Sequence, residues 1–215
     1  MPNTARGPDG ETIDLKNPWL AAFLAWLVPG LGHFYQGRRA KGLLYFVCIG
    51  ATFAWGLYMG GGRVVYAQWV PDDQRWQFFC QAGVGLPAIP AYLQSQRQGS
   101  TNLALSNDPR IYNSNYSGNI GNYKEVKSEL KREKFVDWFM APPLVWDKQR
   151  IQSLPDELDD LHKRYHRYFD LGTLFTMVAG LLNILVIYDA YAGPIWLGPP
   201  EGDRKPPDEG KEKKS

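Results

Sequence analysis

The sequence predicts an all-α integral membrane protein with about four transmembrane helices and a cytoplasmic helical insert between the third and fourth. Three observations carry that reading. Four apolar runs approach or reach the length that crosses a bilayer, cations cluster at their edges, and Trp and Tyr bracket them. The mean hydropathy of −0.36 conceals this, because it averages apolar stretches over 19–93 and 171–192 with strongly polar tails and a polar middle.

The first 18 residues are a polar tail without the charged start, apolar centre and small-residue cleavage site of a secretory signal. A membrane region follows over 19–93. Its first run, WLAAFLAWLVPGLGHFY at 19–35, only just meets the lower limit of about 17 residues for a crossing and is interrupted by Pro29-Gly30. The second, LLYFVCIGATFAWGLYM at 43–59, is a cleaner span, and together the two make a hairpin over 19–62. The third, QFFCQAGVGLPAIPAYL at 77–93, is diluted by Gln77 and Gln81, and Pro87 and Pro90 remove backbone donors and should kink it. The fourth, within 171–192, is the strongest.

Residues 94–170 read as a cytoplasmic insert. Residues 99–122, rich in Asn, Ser and Gly, suggest an extended loop. Residues 123–141 suggest a helix whose Lys124, Lys127, Lys131, Arg132 and Lys134 attract anionic headgroups, or equally one packed on a neighbouring segment. Ser153 followed by Asp156 marks a helix start. That helix has acids first and Lys163, Arg164 and Arg167 last, and continues without a breaker into the fourth span. Residues 193–215, charged and proline-rich, suggest a disordered tail.

Cation placement sets the expected topology. The first connection holds Arg38, Arg39 and Lys41 and no acid; the polar middle carries Arg97, Lys163, Arg164 and Arg167 close to spans. Four spans put both clusters on one side, which the positive-inside rule makes the cytoplasm of the plasma (inner) membrane, with both termini outside. Small residues supply the packing. Thr52, Gly56 and Gly60 recur every fourth position on the second span, Gly172, Thr176 and Gly180 on the fourth, with Asn183 near the latter face as interhelical glue.

The chemical signals are sparse. Twenty-four Lys plus Arg against 22 Asp plus Glu give no concentrated basic character, so nucleic acid is not an expected partner. Gly30, Gly32 and Gly37 are spaced GxGxxxxG, with no preceding strand, which does not match a dinucleotide fingerprint. His33, near Tyr35 and Arg38 at a span end, is placed to reach headgroups or a backbone carbonyl. His162 and His166 have a spacing that can hold a metal, but Asp170 lies two turns from His162 and no HExxH pattern is present. Asp189, near an interface, is expected to be hydrated. Cys48 and Cys80 sit in apolar runs as small hydrophobes. Neither cofactor nor metal is expected.

Residues 17–62 resemble the bacterial branch of the two-helix TM-two domain family. The matching residues are Gly30-Leu31-Gly32-His33-Phe34-Tyr35-Gln36-Gly37, then Lys41-Gly42 and an apolar helix. The turn of that family carries a G-x-x-x-F-Y-x-G-like core. Eukaryotic members often show Asp-Arg-Phe where this chain reads Gly-His-Phe, so any role tied to that triplet does not transfer. The closing TMVAGLLNILVIYDAYAG resembles the end of planctomycete-type membrane proteins bearing such a hairpin. The resemblance implies an integral membrane protein with no established enzymatic activity.

The expected function is therefore non-enzymatic: a membrane scaffold or interaction protein that contacts lipid and anionic headgroups, self-associating through its glycine faces or binding other membrane proteins. A small transporter is the alternative, with Asn183, Gln81, Asp189 and the kinked third span lining a path. A second alternative is an enzyme on lipid headgroups working through His33 or the His162/His166 pair. A transporter needs Gln81 and Asn183 to share a polar cavity, a scaffold needs them packed, and an enzyme needs His33 beside another acid or base in a lipid-accessible cleft.

Overall fold

A computed structural model describes residues 4–6, 12–14, 16–70, 73–106, 138–143 and 157–193. The expected extended segment over 107–122, most of the helix expected over 123–141, the Ser153 helix start and the tail beyond residue 193 lie outside them. The described part is mainly helical, with two short antiparallel ladders: β1 (Thr4–Arg6) on β2 (Thr12–Asp14), and β3 (Trp69–Val70) on β4 (Asp73–Gln74).

Helix α1 (Pro18–Leu27) starts where the sequence supplies a cap. Asn17 Oδ1 accepts from the amides of Trp19 and Leu20 at 3.1 and 3.4 Å, and Pro18 takes the first turn, where its missing donor costs nothing. It stops before Pro29, whose ring pushes Val28 into extended backbone, and Gly30 then turns the chain at φ +84°. The short α2 (Leu31–Tyr35) folds back along α1, with Gly32 so close that a Cβ there would meet the Ala21 carbonyl. The first expected span is thus a broken hairpin. At 1.5 Å per residue α1 is about 15 Å long, half of a crossing.

Helix α3 (Arg39–Met59) has no breaker in 21 residues and ends in the glycines at 60–62, two of them at positive φ. After residues 60–75, α4 (Gln77–Ala82) packs on the last long helix and breaks at residues 83–85, where Gly85 has φ +81°. A 3-10 turn (Leu86–Ala88) leads into α5 (Ile89–Ser106). The prolines at 87 and 90 sit in this turn and in the first turn of α5, so the expected third span is reversed rather than kinked. Its midpoint lies deep beside α1, where a Cβ on Gly85 would meet the Trp26 carbonyl. Its far end returns, Gln94 Nε2 donating to the Phe139 carbonyl at 3.4 Å while the Met140 amide donates to Gly62 O at 2.8 Å. Helix α5 also runs through residues 99–106, where a loop was expected.

Helix α6 (Glu157–Tyr165) and α7 (Arg167–Ala192) are separated at His166, which adopts φ +48°. The expected continuous helix is therefore two. Among the described residues, α3 and α7 are long and apolar enough to cross a membrane, at about 31 and 39 Å.

These two helices are antiparallel. Gly56 of α3 lies against Gly172 of α7, so that a Cβ on Gly56 would come within 2.8 Å of the Gly172 carbonyl. The start of α3, in contrast, meets Asp189 near the end of α7. This differs from the expected arrangement. The 36–42 turn shares an end with the C-terminus of α7, and residues 60–75 and 157–167 share the other, where Arg63 Nη1 donates to Glu157 Oε1 at 2.8 Å. The turn and the last stretch of the insert, expected on one side, therefore sit at opposite ends of the α3/α7 pair. The expectation counted residues 77–93 as a crossing.

The core is largely made at the α3/α7 contact and the segments laid against it: Ile49, Phe53, Val64, Val65, Tyr66, Val84, Phe169, Ala179 and Val186 are buried there. Ala21, Ala25 and Ala190 form a smaller cluster under α1.

Candidate functional site

The structure brings Asp189 together with three groups that lie 148 to 156 positions before it in the chain. Asp189, on the last turn of α7, faces the turn between α2 and α3. His33 Nε2 donates to its Oδ2 at 2.6 Å, Arg38 Nη2 reaches the same oxygen at 3.3 Å, and Lys41 Nζ lies 2.8 Å from Oδ2 and 3.0 Å from Oδ1. Beside them Gln36 Nε2 donates to the Ala190 carbonyl at 2.7 Å. Lys16 closes the outer edge, its Nζ donating to the Tyr35 carbonyl at 2.7 Å.

The local sequence explains this placement. Gly30 seats the turn against α3, since a Cβ there would run into the Gly42 carbonyl. The single turn of α2 then points His33 inward, where Tyr45 meets its ring edge-on at 5.0 Å. Phe34 and Arg39 face outward, Gly37 turns the chain at φ +84° in open space, and α3 begins with Lys41 directed at α7.

His33 is completely buried, and it does not meet headgroups or a backbone carbonyl as its place in the sequence suggested. Asp189 is likewise not a hydrated interfacial acid but the acceptor for three donors. Burial pushes the His33 imidazole below the ordinary histidine range; the hydrogen bond to Asp189 opposes this, while Arg38 and Lys41 add to it. The neutral ring therefore carries its proton on Nε2, and the buried Nδ1 has no protein partner. A general base needs one ring nitrogen for its orienting carboxylate and the other for substrate. Here the second nitrogen is sealed in the core.

The remaining polar residues singled out from sequence are packed too. Asn183 Nδ2 donates to the Ala25 carbonyl of α1 at 3.1 Å and to the Gly83 carbonyl after α4 at 2.9 Å. One amide therefore ties both broken hairpins to α7. Gln81 Nε2 donates to Thr176 Oγ1 at 2.9 Å and to the Val64 carbonyl at 3.2 Å. Gln81 and Asn183 lie in different contacts, two turns apart along α7, and both are fully buried.

The glycine faces meet within the chain. Gly56 and Gly60 face Gly172 and Thr176, while Gly180 is backed by the Cys80 carbonyl. They are thus packed against one another within the chain. Thr52 turns its hydroxyl onto the Cys48 carbonyl of its own helix at 2.7 Å.

At the α6/α7 break His162 donates from Nδ1 to the Leu158 carbonyl at 2.9 Å, and its Nε2 lies 3.5 Å from Asp170 Oδ1. The break at His166 brings that acid near, which a continuous helix would not.

Sequence reasoning missed Arg75, a cation 8 % exposed that bonds the Val64 carbonyl and the Thr173 hydroxyl. Only its place in a segment too short and polar for a span could have drawn attention to it.

No curated protein and no solved structure matches the chain. The model of a family of unknown function, DUF6677, matches residues 20–202, and the chain belongs to that family.

Proposed function

We propose that this chain is a non-enzymatic integral membrane scaffold or interaction protein. In this reading two helices cross the bilayer and two half-depth hairpins enter from opposite faces. Membrane residence is supported by the surfaces of α3 and α7: only 22 % and 39 % of their most apolar windows are buried, where the core helix of a soluble protein would be mostly covered. Leu43, Leu44, Val47, Leu182 and Leu185 face outward and suit lipid. The hairpins of α1–α2 and α4–α5 replace the first and third spans expected from sequence. Residues 17–62 keep their proposed kinship with TM-two hairpins, the first helix being broken at Pro29.

The observation that carries the scaffold reading is that Asn183, Gln81 and His33 are held against protein rather than facing a shared polar cavity. Anionic headgroups and neighbouring membrane proteins are the partners proposed. For orientation, Arg63, Arg75, Arg97, Lys163, Arg164 and Arg167 mark one end against Lys16, Arg38, Arg39 and Lys41 at the other. That balance favours a cytoplasmic insert, in the plasma membrane, with the 36–42 turn on the opposite face. The transporter reading retains one supporting feature. Two discontinuous helices meet at mid-depth, an arrangement in which transporters place their binding sites.

Single cysteines on a background lacking Cys48 and Cys80 test both topology and function. Impermeant labelling should separate position 40 from position 164, and labelling of both from one side refutes the topology. Photo-crosslinkers at Leu44 and Val47 in native membranes should give adducts to a discrete protein. Lipid adducts alone, together with a solute flux that depends on Asn183, would replace the scaffold by the transporter.

A further inference from the structure

The end of the α3/α7 pair away from Asp189 holds a second charged cluster. Arg63 donates to Glu157 through Nη1 only, at 2.8 Å. Its Nε and Nη2, which together form the side-on edge of the guanidinium, are buried and have no protein partner. That edge offers two parallel N–H groups matched to two oxygens of one phosphate or carboxylate. Arg75 places Nη2 on the Val64 carbonyl and Thr173 Oγ1, both at 3.1 Å, and its Cζ lies over the Tyr66 ring, 4.3 Å from the centroid. Among the described residues no carboxylate pairs with it, and its Nε is also buried and unpartnered. The carbonyl of Gln68 accepts from the Arg75 amide at 3.1 Å, and the side-chain amide of Gln68 is buried without a partner.

The three residues belong to one short stretch of chain. Arg63 adjoins Val64, whose carbonyl Arg75 holds, and Gln68 is bonded to the Arg75 backbone. Among the described residues the two guanidiniums meet the single Glu157 carboxylate, so one positive charge has no described counter-charge, which is costly away from water. We propose that Arg63, Arg75 and Gln68 form a binding site for a singly charged phosphate group, whether of a lipid headgroup or of free phosphate. A tetrahedral group offers enough oxygens for the Arg63 edge, Arg75 Nε and Gln68 Nε2 together, and its charge cancels the excess. The exposed Tyr58, Trp69, Trp76 and Tyr168 around this end suit the headgroup level, which favours the lipid source. The site goes beyond the scaffold reading and stands or falls separately from it.

The full chain, purified and delipidated in a phosphate-free detergent, is titrated with inorganic phosphate, short-chain phosphatidylglycerol and short-chain diacylglycerol. Thermal midpoint and adducts in native mass spectrometry are read. A rise with phosphatidylglycerol but not with diacylglycerol identifies a headgroup site, and a rise with inorganic phosphate identifies free phosphate. Arg63→Lys, which keeps the charge but removes the fork, should weaken the response by about tenfold or more, and Arg39→Lys at the far end should not. Equal responses to phosphatidylglycerol and diacylglycerol with none to phosphate overturn the proposal. So does wild-type binding by both Arg63→Lys and Arg75→Lys. Should either variant fail to fold, the three-probe comparison on the unmodified chain decides alone.

Discussion

Replacing Asp189 should separate the charge of the end cluster from its hydrogen bonds. Asp189→Leu removes the acceptor for His33, Arg38 and Lys41 at once. The His33 bond matters most, because the ring is wholly buried and no water can replace the lost partner. A hydrogen bond to a charged group contributes about 1.5–3 kcal/mol. Lys41 is a third exposed, so its pairing is screened and adds at most about 1 kcal/mol. Arg38, at 11 %, falls between them. The sum is a loss of about 3–6 kcal/mol for Asp189→Leu. Asp189→Asn keeps an oxygen for His33 Nε2 and should lose about half as much. Equilibrium unfolding in mixed micelles measures this, with tryptophan emission as the signal, since Trp19 stacks edge-on with Tyr191 at 5.0 Å close to the cluster. The reasoning fails if Asp189→Leu unfolds within about 0.5 kcal/mol of the unmodified chain. It also fails if Asp189→Asn is as damaging as Asp189→Leu.

Three other outcomes are expected. Gly56→Leu should cost about 1–3 kcal/mol by forcing α3 off the Gly172 backbone, whereas Gly50→Leu, where a Cβ meets nothing within 4 Å, should be near neutral in the same unfolding assay. Because His33 has a depressed pKa when folded, the unfolded chain takes up its proton first as pH falls. Stability from this group should therefore be complete above about pH 6.5 and decline below it, a slope that a His33→Gln variant lacks in thermal melts across pH. Asn183→Leu, similar in size but without donors, should lose about 1–3 kcal/mol from its two interhelical bonds, and Asn183→Asp should be worse, since it turns an acceptor toward two carbonyls.

Much of the helical content was legible because it rests on local chemistry. Asn17-Pro18 announces the start of α1, Pro29-Gly30 its end, and the uninterrupted apolar run of α3 its length. The small-residue faces of α3 and α7 were legible as packing surfaces but not as partners of each other, since a spacing of four says nothing about which helix it meets. The reversal at residues 83–85 was misread for a physical reason. Hydropathy registers how apolar a segment is, and a segment that folds back on itself is as apolar as a straight one. The same reading carried into the expected topology, because each crossing counted inverts every loop after it. The pairing of His33 with Asp189 had no local signal at all. Each residue by itself has the look of an interfacial group, and only the antiparallel contact of α3 with α7 puts them 2.6 Å apart.

Asn183 shows why the broken hairpins and the long helix form one design. Breaking α1 at Pro29 and α4 at Gly83 leaves carbonyls at both helix ends without intrahelical donors, inside the packed protein. The two ends point at the same place on α7, Ala25 from one side and Gly83 from the other. A serine or threonine there offers one hydrogen and could serve only one of them. A lysine would offer three but bring a charge that nothing nearby balances. A carboxamide nitrogen carries two hydrogens and no charge, so a single neutral side chain satisfies both breaks. The same bonds fix the two hairpins relative to each other, because neither can withdraw without leaving its carbonyl buried and bare. Asn183 thus fits as glue, as its position on the α7 face suggested, but what it joins is a pair of chain reversals rather than a pair of spans.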